Sequence, residues 1–393
     1  MAETNFTLLL DAQKTTWGRS IWKSARQASF LMQRMGQGMN SAITRITELT
    51  TTERGTKAII TLVPDLTGDG VMGDTEVEGK EEAAAAYDQE INVDQLRNAI
   101  KSAGRMAEQG TVVRFRETAR DLLGFWMADR VDQLGSLTMS GIDYRLKTNG
   151  ALRDTWTHNG TAYSRGAVPI GETFFDRADA ADVTPPSANR GFRWDASAAA
   201  LRPADTGAIE PADTLSYAAL VEARAFAKDR RLRSLRGGDM ALFHVFMHPS
   251  AMAKLKLDPD FLANLRSAGQ RGGSNPLFSG SLVTVDGLVL HEFTHSFNTL
   301  GAATGTSSNA GTPGFKWGAD ANVNGNRVVM MGAQGLAFAD LSIPQWDERN
   351  HFDYGAKPGI AASKICGFLK PVFYNPWEDS EEDFGVMTID VAI

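Results

Sequence analysis

The 393-residue sequence contains a single cysteine, Cys366. One thiol can make no intrachain disulfide and no cysteine-rich metal site, so the fold is expected to hold by packing alone in a reducing compartment, with the cytosol as the default. Long hydrophobic runs are missing as well. Nothing approaches the roughly 18 consecutive apolar residues of a membrane-spanning helix. The apolar run Phe6 to Leu10 is short and follows Glu3 rather than a lysine or arginine, so neither a membrane span nor a signal peptide is expected. Surplus positive charge is also absent: 40 Lys and Arg stand against 47 Asp and Glu, a formal net charge of -7, which excludes a chain whose whole surface grips nucleic acid. Only six histidines occur, scattered too widely for a Ser-His-Asp arrangement to be argued, and there is no Walker loop and no G-x-S-x-G elbow. Apolar residues, by contrast, make up 42% of the chain, enough for an extensive core.

The first charged region is one-sided. Between Asp11 and Glu48 there are six basic residues (Lys14, Arg19, Lys23, Arg26, Arg34, Arg45) and no acidic one. Ile21, Ala25, Ala28, Met32 and Met35 recur at helical spacing, which predicts an amphipathic helix ended by Gly36 and Gly38. Trp17, Trp22 and Phe30 are too much apolar area for a free tail, so this arm is expected to pack on a neighbouring subunit. From Gly55 to about Glu90, β-like runs such as Lys57 to Val63 are punctuated by glycines, which predicts a long two-stranded protrusion. Such a ribbon is marginal alone and is expected to lie on another chain.

The strongest periodic signal runs from Gln109 to Ser140, with Phe115, Ala119, Leu122, Trp126, Leu134 and Leu137 on one face, and predicts a long helix closed by Gly141. Residues 142 to 211 are loose in composition yet rich in aromatics, which predicts an ordered, strand-poor insertion rather than a linker. A second helix is expected from Leu215 to Arg236, then a buried strand from Ala241 to Met247 with His248-Pro249-Ser250 starting a short helix. Further strands are expected at Leu282 to Val285, Leu288 to Phe293, Val328 to Met331, and from Ile365 to the end. Cys366 reads as a small buried core residue.

Two stretches imitate chemical motifs. His291-Glu292-Phe-Thr-His295 matches H-E-x-x-H, which on a helix would place two imidazoles and a general base at one zinc and make a hydrolase. The residues before it, two β-branched runs around Asp286-Gly287, predict a hairpin, so the motif continues a strand. On a strand its histidines would stand about 13 Å apart along the axis, too far for one metal. Asp65, Thr67, Asp69, Gly70 and Glu76 imitate a calcium loop, but Pro64 and the preceding β run deny it an entering helix. No catalytic, cofactor-binding or metal-ligating residue is assigned, and neither an enzyme nor a cofactor is expected.

The chain resembles the major capsid proteins of tailed bacteriophages, in particular the family of podovirus-like phages. The resemblance rests on Asp69 to Glu82, Val93 to Ile100, Phe115-Arg-Glu-Thr-Ala-Arg-Asp-Leu-Leu-Gly-Phe-Trp126 through Leu134, Phe246-Met-His248-Pro249, Asp286 to Glu292, Phe352-Asp-Tyr-Gly355 and Asp383 to Asp390. It implies an α+β fold of the HK97-like type with an N-terminal arm (1–54), an extended β-loop (55–91), a peripheral domain (92–236) with spine helix 109–140 and insertion 142–211, an axial domain (237–345), and a return to the peripheral domain (346–393). It further implies a structural protein that self-assembles through pentamers and hexamers into an icosahedral virion shell in the host bacterial cytoplasm. Portal, scaffold and decoration proteins would be its partners, with double-stranded DNA inside in weak contact and no membrane. The alternatives are a nanocompartment shell of the same fold and, more remotely, the zinc hydrolase on His291, Glu292 and His295.

Overall fold

The structure is a computed structural model. It describes residues 11–47, 57–63, 66, 68, 70–74, 76–81, 86–104, 106, 115–152, 155–158, 161–164, 183–237, 240–267, 283–341, 345–352 and 357–393. Two sheets and one long helix organise these residues.

The helix α2 (Phe115–Ser140) is the predicted spine; residues 109–114 of the expected span lie outside the described residues. It closes as the sequence suggests. Gly141 takes φ +64, and the Ile142 N–H donates to the Leu137 carbonyl at 2.9 Å, the wider bond of a glycine-ended helix. Of the face expected, Ala119, Leu134 and Leu137 are buried and the half-buried Phe115 and Trp126 pack against the same core, whereas Leu122 is exposed; Leu123, Met127 and Val131 widen the stripe on its other side. From Val131 to Ser140 almost every residue is buried, so the helix passes from a surface position into the interior.

The arm helix α1 (Asp11–Ala28) corrects an expectation. Its stripe of Ile21, Trp22 and Ala25 is buried within the same chain, against α2 and the strand Gln345–Phe352, rather than on a neighbouring subunit. The two helices cross at Gly124, where a Cβ would meet the Ile21 carbonyl oxygen at an ordinary contact distance of 3.7 Å. Trp17 packs on Trp346 with ring centroids 5.4 Å apart. The helix also stops earlier than expected, at Ala28, because Asp132 of α2 captures the next turn: it accepts from Ser29 Oγ (2.6 Å), Phe30 N (2.8 Å) and Leu31 N (3.1 Å). Leu31 then sits over Gly135, where an added Cβ would stand 2.6 Å from its methyl.

A six-stranded sheet lies under these helices, built from Met35–Gly36, Ile43–Ile46, Leu336–Asp340, Lys357–Leu369, Gln345–Phe352 and Asp94–Lys101. The 13-residue strand Lys357–Leu369 is its axis, bonded on one edge to Asp94–Lys101 and on the other to Gln345–Phe352 and Leu336–Asp340. Alternation sorts its faces. Phe338, Cys366 and Phe368 join the core under the two helices, whereas Ala337, Ala339 and Leu369 face the opposite side. Cys366 is fully buried there.

The eight-stranded sheet runs Val283–Val285, Leu288–Glu292, Met240–Met247, Gly325–Met331, Val386–Ala392, Gly191–Asp195, Ala200–Pro203, with Leu235–Gly237 also on Met240–Met247. Helices α3 (Tyr217–Asp229), α4 (Pro249–Leu257) and α5 (Pro259–Ser267) follow or precede its strands. Val245, Met247, Val328 and Met330 share a core with α3 and α4, while Phe246, Val329 and Met331 belong to the core of the spine. The sheet is thus covered on both faces. Asp286 and Gly287 make its tight hairpin with φ +48 and +79, as the Asp-Gly pair predicts. His248 caps α4 by accepting from Ser250 N, with Pro249 in the first turn. Helix α3 ends at Asp229, seven residues short of the expected Arg236, since Arg231 adopts φ +52 and Leu235–Gly237 turns into a strand.

The sheets cut across the domain limits expected from the sequence. Val386–Ala392, expected with the spine in 346–393, lies inside the eight-stranded sheet: every one of its residues is buried, which only a central strand allows. Leu336–Asp340, expected with 237–345, pairs in the six-stranded sheet. The insertion is less strand-poor than expected, since Gly191–Asp195 and Ala200–Pro203 form the far edge of the eight-stranded sheet.

Candidate assembly surfaces

The extended loop is present as a ribbon in which Lys57–Leu62 pairs antiparallel with Tyr87–Asn92. Its root corrects the expectation that the ribbon lies wholly on another chain. Ala58, Ile60, Leu62 and Ile91 are buried against Ala337, Ala339, Leu369 and Phe384 of the same chain, on the sheet face opposite α1. Gly367 makes this seat: a Cβ there would stand 2.2 Å from the Asn92 carbonyl oxygen. Beyond the root most of the described apolar side chains of the ribbon are exposed. Leu66, Met72 and Val77 are 63%, 87% and 57% exposed, and Asp74, Glu76, Glu78 and Glu81 are exposed beside them. Asp65, Thr67 and Asp69 of the calcium-like motif lie outside the described residues. A second uncovered apolar pair, Leu122 and Phe125, stands on the outer side of α2.

The H-E-x-x-H residues are turned to three different partners. His291, on Leu288–Glu292, is 2% exposed and bridges two groups: its Nδ1 lies 3.2 Å from Arg34 Nη2 and its Nε2 2.8 Å from His244 Nδ1. Glu292, on the opposite face of the strand, pairs at the surface with Lys256 Nζ at 2.6 Å. His295 lies beyond the strand, its Nε2 2.9 Å from Asp129 Oδ1 on α2. Among the described residues no group of three His, Cys, Asp or Glu is arranged to hold a metal ion.

The chain through His291 ties the arm to the eight-stranded sheet. A guanidinium only donates, so His291 Nδ1 accepts from Arg34, leaving Nε2 to carry the proton and donate to His244. Arg34 also donates to the Phe30 carbonyl at 2.6 Å and lies 3.7 Å over the Phe30 ring, which stacks on Phe293 at 4.7 Å. Burial, then the Arg34 charge and His244, push the His291 imidazole down to about 3 from 6.5. Its folded value is depressed, so between pH 6.5 and 3 the unfolded chain takes up a proton that the native chain refuses, and stability falls as pH falls through that window. At pH 5 the loss reaches about 2 kcal/mol, at roughly 1.4 kcal/mol per unit. His291→Asn, which keeps an acceptor toward Arg34, is expected to flatten the acid limb of melting temperature against pH; an unchanged slope between pH 6.5 and 4 would show that His291 takes no part in it.

Buried charges that the sequence reading missed tie strands together within each sheet, and one of them also reaches the spine. Arg327 meets Asp390 across adjacent strands of the eight-stranded sheet with Nε to Oδ1 at 2.7 Å and Nη2 to Oδ2 at 2.8 Å, and its Nη1 donates to the carbonyl of Ser140, the last residue of α2, at 3.0 Å. Burial opposes the Arg327 charge, but the Asp390 carboxylate more than compensates and raises its value. In the six-stranded sheet Lys364 and Arg45 both contact Asp340. The usable signal was a charged residue inside an otherwise apolar strand, Arg327 before Val328-Val329-Met330-Met331 and Asp390 between Ile389 and Val391, because such a residue is buried only with a partner.

The chain shares 50% identity over 392 residues with the major capsid protein of Pseudomonas phage KPP25, covering 99% of this chain and 97% of that one. The whole length also matches solved capsids: that of Ralstonia phage GP4 with a TM-score of 0.68 at 22% identity, covering 100% of this chain and 95% of the other, and that of cyanophage Pam1 with a TM-score of 0.63 at 17% identity, covering 100% and 96%. These likenesses give the HK97-like capsid fold. With the family model for phage capsid protein matching residues 5–393 as well, the chain belongs to the phage capsid protein family.

Proposed function

We propose that this chain is the major capsid protein of a tailed phage, whose copies close as pentamers and hexamers into an icosahedral shell around double-stranded DNA. The 50% identity along 99% of the chain supports the major capsid role. The observation that carries the assembly reading is the ribbon, rooted by four buried residues and exposing Leu66, Met72 and Val77 beyond that root. In this reading the six-stranded sheet with α1 and α2 is the peripheral domain, and the eight-stranded sheet with α3, α4 and α5 is the axial domain that meets its copies at the five-fold and six-fold centres. The ribbon and the Leu122 and Phe125 face are covered by neighbours. Many modest contacts made together hold such a shell, so no single one needs high affinity. The reading places the chain in the virion, assembled in the host cytoplasm with portal, scaffold and decoration proteins as partners. A net charge of -7 suits a wall that holds its contents loosely.

Negative-stain microscopy of the purified, expressed chain is the test. Closed shells or rings of five and six subunits are expected; a chain that stays monomeric at high concentration under all salt and pH conditions tried would overturn the proposal.

A further inference from the structure

A buried lysine and a buried aspartate face each other where the two sheets meet. Lys370 directly follows the long strand Lys357–Leu369 of the six-stranded sheet. Asp383 ends the hairpin that pairs Val372–Asn375 with Ser380–Asp383, just before the strand Val386–Ala392 at the centre of the eight-stranded sheet. Their side chains are 0% and 1% exposed, with Nζ 2.8 Å from Oδ2. As an ammonium and a carboxylate the two groups are under-partnered. Among the described residues Lys370 Nζ donates to two acceptors, Asp383 Oδ2 and the Pro185 carbonyl at 3.1 Å, although an ammonium has three protons. Asp383 Oδ2 takes a second bond, from Ser187 N at 3.2 Å, while Oδ1 is buried and accepts none. Burial lowers the Lys370 value and raises that of Asp383, each against the pull of the other's charge. What the surroundings supply, one carbonyl for one N–H and one N–H for one oxygen, is the partner set of a secondary amide.

We propose that Lys370 and Asp383 condense, in the folded chain, into an intrachain isopeptide bond. Starting from the ion pair, Nζ bonds to Cγ, the Cγ–Oδ1 bond breaks, and Oδ1 departs as water with two of the three ammonium protons. The two charges cancel, and nothing is oxidised or reduced. The amide keeps Oδ2, which still accepts from Ser187 N, and one N–H, which still donates to the Pro185 carbonyl. The oxygen without a partner is the one expelled. Hydrogen bonding already holds the amine near the roughly 3–3.5 Å separation from which reacting atoms close. A dry site also favours the neutral product over two desolvated ions. The other buried lysine is a contrast within the same chain. Lys364 contacts Asp340, but there the second carboxylate oxygen is taken by Arg45 Nε at 2.8 Å, and the guanidinium fixes the negative charge, so that pair stays ionic. The Lys370 to Asp383 bond joins the end of the long strand to the approach of the eight-stranded sheet and bypasses the hairpin 371–382. A chain whose one thiol is Cys366 has no disulfide with which to do this.

The test is the intact mass of the full-length chain, purified folded and then denatured for measurement. Most chains are expected to weigh less than the sequence by one water. Trypsin does not cut between Lys370 and Pro371, so both partners stay in the peptide 365–393. That peptide is expected to carry the whole deficit and to yield no backbone fragments from between residues 370 and 383, because the new bond holds the two halves together. Lys370→Arg keeps a cation beside Asp383 but leaves no amine to condense, and is expected to restore the full mass. A wild-type chain of full mass, or a deficit that survives Lys370→Arg, would overturn the proposal. So would a deficit whose fragments run unbroken through 371–382, the mark of an aspartate cyclised on its own backbone, or one that maps to Lys364 and Asp340. Each of these results leaves the shell reading untouched.

Discussion

Asp390→Ala is expected to cost the subunit about 3–5 kcal/mol, because it strands the guanidinium of Arg327 in the interior. Asp390 is 0% exposed and Arg327 7%, and their two parallel bonds of 2.7 and 2.8 Å lie between adjacent central strands. The same arginine satisfies the Ser140 carbonyl at the end of α2, where a cation also suits the negative end of the helix. Loss of the carboxylate thus unsettles the junction of the spine with the eight-stranded sheet, and 3–5 kcal/mol is a large fraction of the 5–15 kcal/mol that typically separates native from unfolded domains. Guanidinium unfolding of the dissociated subunit measures the change. The double variant Asp390→Leu with Arg327→Met is expected to recover most of the loss, short of the part due to the Ser140 carbonyl, since replacing a buried pair by apolar groups is often neutral. A loss under about 1 kcal/mol for Asp390→Ala would mean that Arg327 reaches water or another anion.

Asp132→Ala is expected to release the arm. Its carboxylate is buried on α2 and accepts three hydrogen bonds from consecutive residues, Ser29, Phe30 and Leu31. Removing it leaves buried donors without partners, at about 1–3 kcal/mol for each one that water cannot reach, and removes the only side chain of α2 that holds the turn after α1 by hydrogen bonds among the described residues. Burial raises the Asp132 value while the bonds from Ser29, Phe30 and Leu31 lower it, so the carboxylate is tolerated there because of the turn it binds. Hydrogen exchange reads the effect directly: the amides of Phe30 and Leu31 should lose protection by at least about tenfold, whereas those of Val328 and Val329 should keep theirs. Asp132→Asn, which retains one acceptor oxygen, should fall between. Equal protection of Phe30 and Leu31 in wild type and Asp132→Ala would show that Leu31 packed over Gly135 is enough to seat the arm.

The elements that were legible in the sequence share a cause: their signals are local. The spine, the Asp286-Gly287 hairpin, the His248-Pro249-Ser250 cap and the buried strand at Met240–Met247 depend on spacing within a turn or two, and each occurs where expected. The errors concern what those elements touch. Ile21, Trp22 and Ala25 were recognised as a stripe in need of a partner, but that the partner is the chain's own α2 depends on contacts about a hundred residues apart, such as Leu31 over Gly135, a residue that reads only as a weak helix former. Val386–Ala392 reads as a terminal strand, and its place at the centre of the eight-stranded sheet is set by pairing with residues about 60 positions away. The basic arm was visible in composition, whereas its placement on the sheet face opposite the ribbon was not.

The path of the backbone below the ribbon also bears on mechanical load. The strand Tyr87–Asn92 continues through Val93 into Asp94–Lys101, which is paired over eight residues with Gly359 to Cys366 of the longest strand among the described residues. The other foot of the ribbon leads back to Ile43–Ile46 in the same sheet. In the proposed shell, a neighbour tugging on the tip as packed genome pressed outward would load this sheet along the strand axis. The cross-strand bonds are then sheared together, not peeled singly as at a free edge, so a subunit built this way can pass hoop tension to its neighbours without unzipping.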